Sequence, residues 1–453
     1  MHSNNSKEQL EKMTGWPMPK LIFSMSAPTV ISMLTTSLYN MADTYFVSQL
    51  GTSVSAAVGI AFSLMALIQM VGFSLGMGAG SLISRYLGHE DNAQAGICLS
   101  SAFAASLLCG TAIALWGLRQ LAPLMLLLGS TQTILPYACQ YSRFILFSAP
   151  LFCASFVLNN ALRYQGKSTL SMIGLTAGGV LNILLDPLLI NICHLGIAGA
   201  AVATMASQII SFILILYFIQ SPYSILHLRL KDISCRPSVY WSIVKNGLPT
   251  ACRQGIASFA SALLNNQAAA FGDAVVAAIS IANRIYMFVR NIIIGIGQGF
   301  QPVAGYNYGA GQLQRVKKAF WVSAALGSSI CAVCALLIYW QAPGLMILFR
   351  KDDPQVISVG TQGLHYLAMV LPLLAYSTFV NQLLQCLGRT LSASFLASCR
   401  QGIFFIPLVL YLPQLLSVQG LLLTQPLADL ATFLISIPFH LWFFHSRHGL
   451  GSS

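Results

Sequence analysis

Asn159-Asn-Ala-Leu-Arg-Tyr-Gln-Gly166 and Asn381-Gln-Leu-Leu-Gln-Cys-Leu-Gly388 are two versions of one phrase, 222 residues apart. A shift of 221 also lays Pro28 on Pro249, Gly51 on Gly272, Gly76 on Gly297, Gly78 on Gly299, Gly88 on Gly309 and Gly199 on Gly420. Composition bias does not hold one register over so long a stretch. The 453-residue chain is therefore read as two copies of one unit.

The unit is a membrane unit. Only 8% of residues are charged and 56% are hydrophobic, against about 25% charged in soluble domains. A soluble fold of this size could not hide so much apolar surface. A cytosolic enzyme, a nucleic-acid-binding module and a disordered chain are excluded. Spanning helices need about 20 apolar residues, and twelve runs qualify, at roughly 20–46, 53–84, 93–117, 134–162, 168–191, 197–220, 243–270, 274–304, 313–340, 356–386, 391–412 and 419–445. They are too long for barrel strands and lack the alternation of such strands. The expected fold class is all-α: a polytopic protein with twelve transmembrane helices in two six-helix bundles. Six is even, so each half returns to its starting side and the repeat is parallel, about an axis along the membrane normal. The expected divisions are an N-terminal tail at 1–19, an N-lobe at 20–220, a linker at 221–242, a C-lobe at 243–446 and a C-terminal tail at 447–453. The basic linker stretch 221–240 suits either a surface helix or a plain loop.

The net charge of +12 follows topology and implies no nucleic-acid partner. With a cytoplasmic start, fifteen Lys and Arg fall on inner segments and three, Arg119, Arg350 and Lys351, on outer loops. Both termini are expected in the cytoplasm, with no secretory signal. The eleven cysteines are scattered singly and read as small buried hydrophobes. Gly76-Met-Gly78-Ala-Gly80 and Gly295-Ile-Gly297-Gln-Gly299 lie inside apolar runs with no Walker lysine, so they read as helix-packing surfaces. His194, His365 and His440 have no ligand-spaced companions.

A charge near the bilayer centre costs at least about 2.5 kcal/mol and marks function by default. Of eleven acids, only Asp43, Asp186 and Asp429 fall within spans. Tyr39 and Asp43 are four apart on the first span, with Asn40 at the edge of that face and Pro28 four turns earlier to bend the helix. Asn182 and Asp186 share a face of the fifth span, and Pro187 frees a backbone carbonyl beside them. Thr204 and Gln208 repeat the spacing on the sixth. Two carboxylates, amides and a hydroxyl on neighbouring helices suit a sodium ion or a proton shared between carboxylates. The alternatives are a solvated interfacial Asp43 and polar groups that simply join helices.

The second half differs. Its spans hold Arg253, Arg284, Arg290 and Arg400 with Asp429 as the only acid, and Leu264 stands where the shift places Asp43. Arginines facing a cavity, Arg284 among them, would meet an anionic or zwitterionic cargo; snorkelling or paired arginines are the alternative.

Twelve spans in two halves, Pro28 with Tyr39 and Asp43, Asn182-x3-Asp186-Pro187, Thr204, Gln301-Pro-Val-Ala-Gly-Tyr-Asn-Tyr-Gly309-Ala and Leu162-Arg-Tyr-Gln-Gly166 resemble the multidrug and toxic compound extrusion (MATE) family, most closely a DinF-like branch. The resemblance covers essentially the whole chain. It implies secondary active export of drugs and other amphipathic organic compounds by alternating access, in exchange for a proton or sodium, and no enzymatic activity. It implies a cation site, with possible Na+, at Asp43, Asn182, Asp186 and Thr204, and places Tyr39, Tyr141 and Asn159 at the first-lobe cavity; Asn40, Gln208 and Arg284 join that expectation from their faces. No cofactor is expected. The acidic pair that another branch carries on helices seven and ten is absent, since Asn265, Asn266 and Asn381 stand in those stretches without a carboxylate. A monomer in the plasma (inner) membrane is expected, and the rival reading is a flippase for a lipid-linked saccharide.

Overall fold

The computed structural model describes residues 2–349 and 353–445; Arg350, Lys351, Arg447 and the expected C-terminal tail lie outside the described residues. Helices follow one another with short connections: α1 (His2–Gly15), α2 (Met18–Ser48), α3 (Thr52–Gly88), α4 (Asn92–Arg119), a short α5 (Leu121–Leu127), α6 (Leu135–Tyr164), α7 (Ser168–Pro187), α8 (Gly196–Gln220), α9 (Pro237–Ala269), α10 (Asp273–Gly309), α11 (Leu313–Phe349), α12 (Pro354–Cys386), α13 (Thr390–Ser398) and α14 (Phe405–His445). No strand occurs among the described residues.

Ten stretches are long and apolar enough to cross a membrane, and two facts reconcile them with twelve crossings. α9 is not among the ten, because Lys245, Asn246, Arg253, Gln254 and Asn265 dilute its apolar surface. The last of them runs unbroken over Thr390–Phe444, 55 residues, yet Ser417 inside it has φ 52 and ψ −132, which is not helical. Were the helix continuous, Arg400 and Asp429 would stand roughly 43 Å apart at about 1.5 Å per residue; instead their side chains bond at 2.7 Å. The chain turns back at Ser417 and forms two crossings.

The repeat is visible in the bonding. Asn159 Nδ2 donates to Ser171 O at 2.9 Å, and Asn381 Nδ2 donates to Ala393 O at 2.6 Å, both partners 222 residues apart. Gly166 and Gly388 close these two helices at φ 81 and 79, the left-handed region that glycine occupies without strain. A β-carbon on Gly76 would strike Asn160, and one on Gly297 would strike the matching Gln382. Gly78 packs on α9 at Ile243 and Gly247, while Gly299 packs on α2 at Ser26. Gly78, Gly295 and Gly299 are thus where each lobe's second helix meets the other lobe's first, while Gly76, Gly80 and Gly297 seat that helix against its own lobe.

Both lobes share one hydrophobic core at the end that carries α1 and the linker, whereas a second core of Val47 to Ala201 lies wholly in the N-lobe and a third of Ala260 to Ala428 wholly in the C-lobe. Polar bonds reinforce the shared end. Arg163 Nη1 donates to Gln298 Oε1 at 2.7 Å, Arg85 Nη2 to Asn246 Oδ1 at 3.0 Å, and Tyr306 OH to Gln165 O at 3.2 Å. The molecule is therefore closed at this end and divided at the other.

Two expected boundaries change. The stretch expected as a tail contains the docked helix α1: Met13 is fully buried, Gln9 Nε2 donates to Gly166 O at 3.3 Å, Asn307 Nδ2 donates to Met13 O at 3.0 Å and Arg315 Nη2 to Trp16 O at 2.8 Å. Its polar sequence hid a helix held by tertiary contacts with both lobes. The linker is a loop with one 3-10 turn at Leu230–Asp232, and α9 already begins at Pro237. Gln165 Oε1 pins it by accepting from Ser224 Oγ, Ile225 N and Leu226 N at 2.9, 2.9 and 3.1 Å.

The lobe contact generates a paired test. A β-carbon on Gly299 would lie 2.5 Å from Ser26 Cα, while one on Gly59, also mid-helix, meets nothing within 4 Å. Gly299→Ala is expected to lower stability by about 1–3 kcal/mol in thermal unfolding of detergent-purified protein. Gly59→Ala should raise it by about 0.5–1 kcal/mol through helix propensity.

Candidate functional site

The N-lobe gathers the polar faces of four helices. Tyr39 and Asp43 come from α2, Asn182 and Asp186 from α7, Thr204, Ser207, Gln208 and Ser211 from α8, and Tyr141, Ser148, Ser155 and Asn159 from α6. Small residues let these helices close up: a β-carbon on Gly179 would sit 3.1 Å from the Tyr39 ring, and one on Gly178 2.8 Å from Ser211 Cβ. Pro187 ends the regular helix of α7, and a π-helical turn, Leu188–Ile192, follows directly after Asp186.

Asp43 is 2% exposed and Asp186 fully buried. Asp43 Oδ1 and both carboxylate oxygens of Asp186 have no hydrogen-bond partner among the described residues. The two acids, Tyr39 and Tyr141 lie within range of one another's charge. Thr204 Oγ1 is the local hub: Asn182 Nδ2 donates to it at 3.4 Å, and Tyr141 OH shares a hydrogen bond with it at 3.3 Å. Gln208 Oε1 accepts from Ser148 Oγ at 2.7 Å. Ser155 Oγ and Ser207 Oγ are buried without partners.

A cavity of about 60 Å³ opens between these helices, lined by Tyr39, Asn159, Asn182, Thr204, Ser207 and Gln208 among polar groups, with Met65, Phe152, Phe156 and Ile215 as apolar wall. Of the residues expected there from sequence, Tyr39, Asn159 and Gln208 line it and Tyr141 is fully buried behind Thr204. Asn40 and Arg284 are exposed and do not line it. Asp43 and Asp186 stand outside its lining, and Pro28 lies in α2 as expected. Sequence reasoning passed over Ser207 and Ser211, although Thr204, Ser207, Gln208 and Ser211 recur at helical spacing on one face.

The chemistry suits a hard cation. Carboxylate, amide and hydroxyl oxygens converge, and the carboxylates lack protein donors. No group of three His, Cys, Asp or Glu forms a metal cluster among the described residues, so a resident transition metal has no framework here. The C-lobe acid is handled differently: Asp429 Oδ1 accepts from Arg400 Nε at 2.7 Å and Gln425 Nε2 at 2.9 Å, and Oδ2 from Tyr286 OH.

The hub is testable. Thr204→Val leaves Tyr141 and Asn182 without their shared partner, and about 1–3 kcal/mol of stability should be lost. Thr44→Val, exposed on α2, should change it by less than about 0.5 kcal/mol. Thermal unfolding in detergent reads both.

With fold and site in hand, comparison with known proteins is informative. The family model MatE matches residues 28–188 and 249–410, one match per lobe. The FAD transporter of Shewanella oneidensis is 28% identical over 427 residues, which cover 91% of this chain and 92% of that protein. The multidrug export protein MepA of Staphylococcus aureus is 26% identical over 435 residues, covering 94% and 95%. The solved outward-facing conformation of a multidrug resistance MATE family transporter of the MOP superfamily superposes with a TM-score of 0.91 at 25% identity, covering 98% of this chain and 99% of that one.

Proposed function

The chain belongs to the MatE family, and from that premise we propose that it exports amphipathic organic molecules by alternating access, driven by a proton or sodium ion taken at Asp43 and Asp186. It is a multi-pass membrane transporter and not an enzyme. The finer reading rests on one observation: two buried carboxylates on α2 and α7 with oxygens that no protein group satisfies. An ionised carboxyl in that position needs a cation, and a neutral one needs a proton.

Size separates ion from cargo. About 60 Å³ holds a small cation with a few waters, whereas drug-sized ligands occupy about 300–1,000 Å³. The organic molecule therefore belongs in the gap between the lobes, and the coupling ion at the carboxylates beside this small N-lobe pocket. The relatives are named for different cargoes, FAD and multiple drugs, so the likeness supports small organic molecules as a class.

α2 is the element able to connect the two. Its first half is bonded to the C-lobe, where Ser26 Oγ donates to Ile296 O at 3.1 Å and Thr29 Oγ1 to Gly295 O at 2.6 Å. Its second half carries Tyr39 and Asp43 to the N-lobe site. Pro28 lies within the helix beside the first of these contacts, and Ser32, Thr36 and Ser37 turn their hydroxyls onto carbonyls four residues back, which eases bending. Ion binding would shift the bend by its differential affinity for the two states. The basic bias supports a cytoplasmic closed end, in which case this is the state that releases cargo outward. One chain contains both lobes, and a monomer in the plasma (inner) membrane suffices.

Ethidium efflux from proteoliposomes, driven first by an imposed pH gradient and then by an imposed sodium gradient, tests the coupling. Asp186→Asn and Asp43→Asn should each lower gradient-driven efflux at least about fivefold, the low end of typical coupling free energies. Wild-type rates in Asp186→Asn would defeat the coupling role, and the gradient that drives the wild type identifies the ion.

A further inference from the structure

The C-lobe holds more positive charge than its fold needs. Arg253 is the central residue of α9 and Arg290 lies one residue from the centre of α10, too deep to snorkel to either surface. Both converge on the Asp429 network. Arg400, in the π-helical turn Cys399–Ile403, bonds Asp429 and Tyr286. Arg290 lies one turn beyond Tyr286 on the same face of α10. The turn that carries Arg400 packs on α9, where a β-carbon on Gly402 would lie 3.1 Å from Ile256, one turn from Arg253. Arg253 and Arg290 each feel the charge of Arg400.

Three guanidinium groups thus share this part of the C-lobe with one carboxylate, whose two oxygens are already occupied by Arg400, Gln425 and Tyr286. Arg400–Asp429 is the single salt bridge among the described residues. Arg290 donates only to Met287 Sδ at 3.3 Å, and Arg253 has no hydrogen bond recorded to any described residue. Both are half-buried and lie on helix faces turned toward the C-lobe network, Arg290 one turn from Tyr286 on α10 and Arg253 one turn from Ile256 on α9.

We propose that Arg253 and Arg290 form an anion subsite in the C-lobe, which receives the phosphate or carboxylate of an amphipathic cargo. Paired guanidinium groups match the planar, multidentate geometry of these anions. The two lobes then have opposite polarity, acidic in the N-lobe and basic in the C-lobe. A soluble organic phosphate and a lipid headgroup phosphate present the same chemistry. The proposal rests on the exporter reading, since it names the class of that exporter's cargo.

Equilibrium binding to the full-length protein in detergent tests it with two matched pairs: flavin mononucleotide against riboflavin, and lysophosphatidic acid against monoacylglycerol. In at least one pair the phosphate form should bind at least about tenfold more tightly than its neutral parent, or 1.4 kcal/mol, and the pair that does so identifies a soluble or a lipid source. Arg253→Gln with Arg290→Gln should bring the ratio within about twofold of one, each single substitution should remove part of it, and the double lysine variant, which keeps the charge without the planar fork, should retain only part of it. Arg119→Gln, an exposed charge loss on α4, should leave it unchanged. A ratio near one in both pairs, or one that survives the double Gln substitution, would overturn the subsite. Ethidium efflux measured in parallel separates the two claims: efflux without phosphate preference removes only the subsite, while wild-type protein that moves no ethidium under either gradient strikes the exporter reading.

Discussion

A carboxylate within a hydrocarbon slab has three stable conditions: neutral, paired with a base, or bound to a cation. The protein displays two solutions side by side. Asp429 is held by Arg400, Tyr286 and Gln425, a closed network that needs nothing further. Asp43 and Asp186 have no arginine and leave three buried oxygens unsatisfied. On the proposed reading, a proton or cation from outside the chain completes the N-lobe site. That incompleteness separates a moving part from a structural one. It also explains why α2, α7 and α8 meet through Gly178, Gly179 and hydroxyls in place of bulky apolar side chains.

The scaffold is duplicated while the chemistry is not. The bonds of Asn159 and Asn381, the turns at Gly166 and Gly388 and the glycine contacts of α3 and α10 coincide at the repeat shift. The charged positions do not: Leu264 replaces Asp43, and Asp429 stands opposite Gln208. Backbone approach depends on small residues that both halves must keep for the lobes to meet. A titratable site needs only one lobe, and the other is free to acquire different charges.

Much of the architecture was legible because hydropathy is a local property. The first ten expected spans each correspond to one helix, the last two share the helical stretch from Thr390 that turns back at Ser417, and the glycine triplets are helix-packing surfaces, with Gly78, Gly295 and Gly299 at the lobe contacts. What escaped depends on tertiary contacts. α1 is polar along its length and is held by Gln9, Met13 and Trp16 against residues from both lobes, so no window of sequence reveals it. The π-helical turns at Leu188–Ile192 and Cys399–Ile403 leave no mark on an apolar run. Within the site, carboxylates announced themselves through their desolvation cost, and the four-residue spacing put Tyr39 with Asp43 and Asn182 with Asp186. Tyr141 and Asn159 came only from family resemblance, since a tyrosine or asparagine in a span carries no such penalty. Serines are quieter still. Ser32 and Ser37 satisfy themselves on their own helix, whereas Ser155 and Ser207 do not, and sequence alone does not separate the two behaviours.

Coupling between the lobes needs an element with two arrangements that touches both sites, because a ligand moves an equilibrium only by binding its states unequally. α2 meets that requirement on both sides of Pro28: Ser26 and Thr29 grip the Gly295–Ile296 backbone of α10, and Tyr39 and Asp43 belong to the ion site. Asn291 donates to Ser37 on the same helix, one residue from Arg290. A change in the bend of α2 at the ion site therefore reaches the C-lobe face bearing the arginines through direct bonds. On the proposed reading, the unsatisfied acids would supply the free-energy difference, Pro28 would supply the joint, and Gly295 and Gly299 of α10 would keep that joint seated.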